Sequence, residues 1–252
     1  MDARRLAYLK ALEIDVWERR DVASSAPPVA VNRTDAESIA PRHVPHIVPA
    51  PVESATSSSS SPLAALGWEE LTRTVKACTL CPLHASRTQA VFGVGNRNAQ
   101  WMVIGEAPGA DEDRQGEPFV GRAGQLLNSM LEAIGFARSD VFIANILKSR
   151  PPNNRDPRPE EVQACIPYLY RQIELIDPKL ILCVGRIAAQ TLLQTDTPIG
   201  KLRGKLHRIA GGRPMIVTYH PAYLLRSPAQ KRLAWRDILS LKIKLESLGS
   251  NS

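Results

Sequence analysis

The sequence predicts an α/β protein in which helices cover both faces of a mostly parallel central sheet, a three-layer α/β/α arrangement. From residue 63 onward, short apolar runs typical of strands alternate with longer segments that have helical periodicity. The chain has 252 residues, of which 44% are hydrophobic, so it can bury a sizeable core. Residues 21–62 have a different composition, which indicates that the globular part begins after them.

The expected elements follow one another through the globular part. Helices are expected at residues 63–77, 123–136, 159–176, 186–194 and 228–246. Strands are expected at residues 101–109, 141–147, 180–185 and 214–221. Pro159 suits the first turn of its helix, and Gly135 suits the end of another. Because ligands of parallel sheets bind where the strands end, the polar residues that follow these strands are the first candidates for a site.

Two segments precede the globular domain, which we expect to span residues 63–252. Residues 21–62 contain seven prolines, no aromatic residues and the serine run Ser57–Ser61, which is typical of a disordered linker. Residues 1–20 have leucines at helical spacing followed by Trp17, and are too short to form a core. We expect an amphipathic peptide that either packs on its own domain or binds a separate partner.

Composition narrows the class of protein further. The formal net charge of +7 is a mild indication of a polyanionic partner. No run approaches the roughly 18 apolar residues of a membrane span, and the first thirty residues lack the apolar region of a secretory signal. Four cysteines are too few for a disulfide scaffold. We therefore expect a cytoplasmic protein without a membrane segment.

Candidate site residues stand at the ends of the expected strands. The turn Gly105–Gly109 can bring backbone N–H groups close to a ligand, but it lacks the lysine and spacing of a phosphate-binding loop. A buried Asn145 either caps neighbouring backbone or reads the amide edge of a ligand. His220, at the end of another expected strand, is either a structural residue with satisfied hydrogen bonds or a residue that takes part in the chemistry of the site. Phe119, in a segment rich in proline and glycine, is placed to form a stacking surface.

The cysteines leave several kinds of site open. Cys78 and Cys81 have the CxxC spacing used for zinc, iron–sulfur and redox chemistry. Their place at a helix end argues against a thioredoxin-like role. Cys165 is a candidate third thiolate, whereas Cys183 lies in an apolar strand and is interpreted as a core residue. A four-ligand site therefore lacks an evident fourth cysteine.

Three long motifs resemble those of the family 4 uracil-DNA glycosylases, the iron–sulfur type. The motifs are GEAPGADEDRQGEPFVGRAGQLL, NILKSRPPNNRDPRPEEVQAC and TYHPAYLLRSP, within a resemblance from about residue 68 to 245. It implies the uracil-DNA glycosylase fold and a monofunctional hydrolase of N-glycosyl bonds. Such an enzyme flips uracil out of single- or double-stranded DNA and leaves an abasic site for base excision repair. We expect the protein to be a monomer that associates with the bacterial nucleoid.

The resemblance implies a role for each matching residue of the pocket. The residues implied for its first wall are Glu106, Ala107 and Gly109. Phe119 would stack on the flipped base, and Asn145 would accept from uracil N3–H and donate to O4, which excludes cytosine. His220 would donate toward O2 as the bond breaks. Some glycosylases have an aspartate where Ala107 stands, so we expect catalysis through the leaving group, with water positioned by backbone or Glu106.

The resemblance also implies how the protein meets DNA. The stretch Ala222–Arg226 would be the loop that enters the duplex, with Leu224 or Leu225 as the wedge and Arg226 as a further DNA contact. Basic residues near the motifs fit a phosphate-binding face with a steep salt dependence. These residues are Arg150, Arg155, Arg158, Lys201, Arg203, Lys205, Arg226, Lys231 and Arg232.

One cluster ligand of the family pattern is replaced. Cys78, Cys81 and Cys165 match three of the four thiolates that hold a [4Fe–4S] cluster, but Ser149 stands at the position of the fourth. A hydroxyl is a harder and far less acidic ligand than a thiol. Ser149 could ligate iron, the fourth iron could be labile and leave the cluster incomplete, or packing could replace the cluster altogether. A simple zinc site is a further alternative.

A second resemblance concerns the first twenty residues. The segment ARRLAYLKALEIDVWERR is similar to the N-terminal peptide of the psi accessory subunit of the bacterial replicative clamp loader. It implies a replisome or clamp-loader partner for residues 1–20. This raises an alternative function, an accessory scaffold with a glycosylase-like fold and reduced or no activity. A glycosylase activity and a clamp-loader partner are compatible if the peptide delivers a working enzyme to replicating DNA.

Overall fold

The computed structural model describes residues 62–249. The expected peptide at 1–20 and all but the last residue of the expected linker at 21–62 lie outside the described residues, so those predictions remain predictions. In the described part, no helix is long and apolar enough to cross a membrane.

The centre of the domain is a six-stranded sheet with the order β1-β3-β2-β4-β6-β5. The strands are β1 (Val94–Gly95), β2 (Trp101–Gly105), β3 (Phe142–Asn145), β4 (Leu180–Val184), β5 (Leu206–Arg208) and β6 (Pro214–Thr218). The inner strands β3, β2, β4 and β6 are parallel, and the edge strands are antiparallel to their neighbours. The expected mostly parallel sheet is confirmed, although the two short edge strands were not predicted.

Helices flank the sheet and connect its strands. They are α1 (Trp68–Ala77), α2 (Ala110–Gln115), α3 (Arg122–Ala133), α4 (Pro159–Ile176), α5 (Arg186–Leu193), α6 (Ile199–Leu202), α7 (Pro221–Arg226) and α8 (Lys231–Gly249). The expected helix 159–176 is confirmed to the residue. The short helices α2, α6 and α7 were missed because four to six residues cannot show a helical period.

Alternate side chains of each inner strand enter two separate apolar cores. In β2, Met102 and Ile104 pack on one face of the sheet, whereas Trp101 and Val103 pack on the other. The first core includes residues of α1, α4 and α5, and the second includes residues of α3 and α8. Because both faces are covered, the inner strands are apolar apart from polar residues at their carboxyl ends, such as Asn145 and Thr218. This is the physical origin of the apolar runs that predicted the α/β/α fold.

A buried ion pair ties α8 to the end of β6. The side chain of Asp237, 2% exposed, accepts hydrogen bonds from Arg203 Nε at 3.0 Å and from Thr218 Oγ1 at 2.8 Å. Arg203 also donates to the carbonyl of Leu233 at 2.5 Å. Arg203 was expected on the phosphate-binding face, and that assignment is wrong because its guanidinium is committed to this internal network. The network fixes the backbone two residues before His220.

Replacing Asp237 by alanine should destabilise the domain strongly, because it removes the carboxylate that pairs with the largely buried guanidinium of Arg203 and accepts from the Thr218 hydroxyl. We expect a loss of about 3–5 kcal/mol in the free energy of unfolding, measured by urea denaturation. The control is Glu69→Ala, which removes an exposed pair with Arg97 and should cost about 1 kcal/mol or less. Equal losses in the two variants would contradict the role assigned to the network.

Candidate active site

The carboxyl ends of the inner strands converge on one cavity of about 710 Å³. Glu106 follows β2, Asn145 ends β3, Gly185 follows β4 and His220 follows β6 soon after its end. The volume lies within the usual range of about 300–1,000 Å³ for small-molecule sites. Other lining residues are Ala107, Pro108, Gly109, Glu112, Phe119, Asp156, Arg186, Tyr219, Tyr223 and Arg226. The sheet thus brings together every residue that the sequence placed in the pocket.

Asn145 brings an unsatisfied acceptor to this cavity. Its side chain is buried at 2% exposure, and within the described part of the chain its Oδ1 has no hydrogen-bond partner. A Cβ atom on Gly105 would lie 2.4 Å from that oxygen and 2.7 Å from the Phe119 ring, so only glycine fits at this point. A buried acceptor without a partner costs free energy. Asn145 is therefore suited to a ligand that donates a hydrogen bond, and the backbone-cap alternative has no support at Oδ1.

Phe119 occupies a turn whose shape depends on its neighbours. Its φ angle is 56°, in the left-handed region that bulky residues rarely adopt. A Cβ on Gly124 would lie 1.8 Å from the Phe119 carbonyl oxygen, so the turn sits directly on the first part of α3. The Phe119 ring is buried and stacks on the His220 ring, with 5.5 Å between centroids and 29° between planes. The aromatic face therefore lies at the pocket rather than at the protein surface.

The environment of His220 selects one neutral tautomer. The backbone N–H of Ala222 donates to His220 Nδ1 at 3.1 Å, so Nδ1 is an acceptor. Burial, together with the nearby Arg226, lowers the pKa of His220 to about 4. The ring is therefore neutral at physiological pH and carries its proton on Nε2. This arrangement leaves an N–H donor on the remaining ring nitrogen.

Glu106 is a carboxyl group with an altered affinity for protons. Burial, followed by the negative charge of Asp156, raises its pKa to about 7, and Arg186 opposes this rise. Arg186 Nη2 and Asp156 Oδ2 form an ion pair at 2.8 Å on the same side of the cavity. Asp156 and Arg186 were not among the predicted site residues, since nothing in the local sequence distinguishes them from surface charges. At neutral pH Glu106 exists in both protonation states.

The segment expected to enter DNA is helical rather than a loop. Residues Pro221–Arg226 form α7, which begins after His220. Leu224 is 1% exposed and packs in a core, so its assignment as a DNA wedge is wrong. Leu225 is partly exposed and Arg226 is exposed on the same helix. The two leucine side chains point in different directions, because consecutive residues of a helix are rotated by about 100° from one another.

Comparison with known proteins agrees with this geometry. A family model described as the uracil DNA glycosylase superfamily matches residues 92–239. The type-4 uracil-DNA glycosylase of Archaeoglobus fulgidus is 47% identical over 167 residues, which cover 64% of this chain and 84% of that protein. The corresponding protein of Thermotoga maritima is 43% identical over 184 residues, 72% of this chain and 96% of that protein.

This chain belongs to the type-4 uracil-DNA glycosylase family. The family resemblance expected from the three motifs is confirmed. A type-4 relative from Pyrobaculum aerophilum is 45% identical over 177 residues and covers 68% of this chain, so the similarity again leaves a large part of this chain unmatched. The clamp-loader resemblance of residues 1–20 stays a prediction.

The type-4 glycosylase domain brings its three motif cysteines to one corner. Tyr168 Oη donates to Cys78 Sγ at 3.3 Å, and the backbone N–H of Lys148 donates to Cys165 Sγ at 3.2 Å. Burial raises the pKa of Cys165 to about 11, with the nearby thiols contributing to the rise. Among the described residues, no three His, Cys, Asp or Glu side chains are placed to hold a metal ion.

Ser149 has a cationic partner at the same corner. It is buried, and Arg87 Nη1 donates to its hydroxyl at 2.8 Å, while Arg87 Nη2 donates to the carbonyls of Lys76 and Cys78 at 2.9 Å. Cys183 is fully buried in β4, where burial raises its pKa. The interpretation of Cys183 as a core residue therefore agrees with its position.

A buried lysine joins this corner to the pocket and was missed by the sequence analysis. Lys148 is 2% exposed, and its Nζ donates to the Asn145 carbonyl at 2.7 Å and to Gln172 Oε1 at 2.6 Å. Gln172 Nε2 donates in turn to the carbonyl of Phe92 at 2.9 Å. Burial lowers the pKa of Lys148 to about 7. A lysine before an expected loop carries no local signal of such burial.

The perturbed pKa of Glu106 can be measured directly. We expect its carboxyl resonance to titrate near pH 7 by NMR, with Asp156→Asn moving the midpoint down and Arg186→Gln moving it up. Because the native state binds this proton more tightly, the contribution of Glu106 to stability is lost as the pH rises from 4.5 through 7. Glu174→Gln, on the exposed face of α4, should leave the midpoint unchanged. A midpoint near 4.5 in the unsubstituted protein would contradict the assigned environment.

Proposed function

We propose that this protein excises uracil from DNA by hydrolysing the N-glycosidic bond, leaving an abasic site for base excision repair. The observation that carries the proposal is the buried Oδ1 of Asn145, which has no partner among residues 62–249 and lies in the lining of a pocket that also contains His220. Membership of the type-4 family supports it further. A base inside the duplex cannot reach this pocket, so the nucleotide must be flipped out.

Asn145 distinguishes uracil from cytosine by hydrogen-bond direction. The N3–H of uracil donates to an acceptor such as Asn145 Oδ1, whereas N3 of neutral cytosine is itself an acceptor. Two acceptors facing each other in a buried site leave both unsatisfied, which costs about 1–3 kcal/mol for each group. Phe119 supplies an apolar surface for the base in the same pocket. The amide of Asn145 therefore acts as the main determinant of base identity.

His220 stabilises the leaving group. Cleavage of the bond leaves negative charge on uracil, and a preorganised N–H donor aimed at that charge contributes about 3–4 kcal/mol to transition-state stabilisation. The neutral tautomer of His220 offers such a donor at Nε2, because Nδ1 is held by Ala222. A neutral ring also avoids binding the ground state as tightly as the transition state.

Glu106 orients the attacking water. As a carboxylate it accepts a hydrogen bond from water, and its pKa near 7 suits partial transfer of a proton as the sugar is attacked. No aspartate stands at the adjacent position, which is Ala107. We therefore assign most of the rate enhancement to departure of uracil and a smaller share to activation of water.

DNA is the partner that this site requires. Arg226 lines the pocket from α7. We assign its neighbour Leu225, which is partly exposed and packs against the second core, as the wedge that fills the space left by the flipped base. Arg155 was expected among the phosphate contacts, but it is held by Glu161 through two hydrogen bonds at 2.9 and 2.6 Å. As the family resemblance implied, we propose that a monomer acts on both single- and double-stranded DNA.

Excision should depend on His220 in a direct assay. With a labelled oligonucleotide that contains one uracil, followed by alkali treatment, His220→Ala should slow excision about 10²–10³-fold while DNA affinity stays unchanged. Asn145→Asp should lower the preference for uracil over cytosine. The control is His207→Ala, since His207 lies on edge strand β5 and its Nε2 donates to the Leu202 carbonyl at 2.7 Å, outside the pocket.

Two results would overturn the proposal. Wild-type rates in both His220→Ala and Asn145→Asp would remove the pocket from the reaction. Absence of excision by the folded wild-type protein would instead favour the accessory-scaffold function, and a pulldown with residues 1–20 would then test the clamp-loader partner.

The sequence retains three of the four cysteines of the family's iron–sulfur pattern, and Ser149 stands at the fourth position. We propose that Cys78, Cys81 and Cys165 hold a [4Fe–4S] cluster whose fourth iron is labile, because Ser149 offers a hydroxyl that Arg87 already occupies. Donors to the sulfurs of Cys78 and Cys165 are the kind of contact that surrounds cluster thiolates. When bound, the cluster would clamp the segment that follows α1, through Cys78 and Cys81, to Cys165 of α4.

Restoring a thiol at position 149 tests the cluster proposal. Ser149→Cys should raise the iron and sulfide content per protein and increase stability toward oxygen, because a thiolate binds iron more strongly than a hydroxyl. The readouts are metal analysis, visible absorbance and thermal unfolding. Ser139→Cys adds a thiol at an exposed position and should leave iron content unchanged. Unchanged iron in Ser149→Cys would exclude position 149 from the cluster.

A further inference from the structure

We propose that Glu112 is a positioning residue that joins the two walls of the uracil pocket and thereby sets the place of Phe119. The proposal rests on the proposed function for its kinetic consequences, whereas its structural part stands without it. Glu112 is not one of the residues that the three motifs single out for contact with the base.

The carboxylate of Glu112 accepts hydrogen bonds from both walls at once. Its Oε2 accepts from the backbone N–H of Gly109 at 3.1 Å, at the end of the turn that follows β2. Its Oε1 accepts from the backbone N–H groups of Val120 at 3.0 Å and Gly121 at 3.1 Å, directly after Phe119. Both oxygens are therefore occupied, and the side chain bridges two segments that no strand pairing connects.

Helix capping explains only one of these contacts. The bond to Gly109 is the reciprocal half of a capping box at the start of α2. The bonds to Val120 and Gly121 lie outside that helix and contribute nothing to its cap. A residue that served only α2 would not need them. The second pair of bonds therefore indicates a role for Glu112 in the Phe119 turn.

The Phe119 turn depends on support of this kind. Phe119 has a left-handed φ of 56° and belongs to no helix or strand, so its own backbone does not favour the observed shape. Arg138 holds the other side of the turn, with Nη1 donating to the Phe119 carbonyl at 3.2 Å and Nη2 donating to the Pro118 carbonyl. A carboxylate on the N–H groups and a guanidinium on the carbonyl groups clamp the turn from both sides.

Glu112 therefore acts through Phe119 and not on the substrate. Although it lines the cavity, its oxygens face backbone donors, in contrast to Glu106. Loosening the turn moves the aromatic ring relative to Asn145 and His220. A misplacement of about 1 Å in a catalytic site can cost about 10²-fold in rate.

Glu112→Gln is the sharpest test because it keeps the shape of the side chain. An amide has one acceptor oxygen and one NH2 donor, so it cannot accept from Gly109 and from the Val120–Gly121 pair together. The matched control is Asp111→Asn, one residue earlier in α2. It removes the same charge, but Asp111 is partly exposed and pairs with Arg114 on the same helix.

The measurements separate positioning from stability and from charge. For Glu112→Gln we expect single-turnover excision to fall about 10²-fold and affinity for free uracil to weaken, while affinity for undamaged DNA stays within about twofold of wild type. Amide hydrogen exchange at Val120 and Gly121 should be protected in the unsubstituted protein and faster in the variant. Asp111→Asn should match wild type in every readout.

Each contrary result has a distinct meaning. Wild-type excision and uracil affinity in Glu112→Gln, or an equal loss in Asp111→Asn, would overturn the positioning role. Fast exchange of the Val120 and Gly121 amides in the unsubstituted protein would overturn the clamp itself, whether or not the variant folds. Protected amides in a wild-type protein that excises no uracil would contradict the proposed function while leaving the clamp in place.

Discussion

Burial of both faces of the parallel sheet is the constraint on which the rest of this structure depends. The inner strands β3, β2, β4 and β6 are apolar except at their carboxyl ends, because helices cover them on either side. Polar side chains such as Asn145 therefore lie where the strands end. The parallel direction of the four strands puts these ends at one edge, so Glu106, Asn145 and His220 meet although long stretches of sequence separate them.

Burial gives the groups at this edge properties that exposed side chains lack. The Oδ1 of Asn145 has no partner among the described residues, the pKa of His220 is lowered to about 4, and the pKa of Glu106 is raised to about 7. Each state costs free energy in the folded protein, and ordered surroundings must offset that cost. The neighbouring clamps, Lys148 on the Asn145 carbonyl and Glu112 on the Phe119 turn, are the contacts that restrict these groups to one arrangement.

Predictions that rest on local sequence signals were correct, whereas the incorrect ones concern residues whose environment depends on contacts between distant segments. Helix 159–176 was predicted to the residue because a proline start and a helical period are local signals. Leu224 and Leu225 are neighbours of the same type, and no local signal says which of them packs inside. Arg203 looks like any other surface cation until α8 brings Asp237 to it. Edge strands of two and three residues are too short for any pattern.

The sequence by itself determined the fold class, the order of the inner elements, the family and the residue types of the pocket. Apolar periodicity and motif spacing are local features of the sequence, so they can be recognised without the tertiary structure. Only the tertiary structure decided the tautomer of His220, the raised pKa of Glu106, the burial of Lys148 and the bridging role of Glu112. Those properties arise from desolvation and from contacts between distant segments. Such contacts exist only once the strands are aligned and the helices have closed over them.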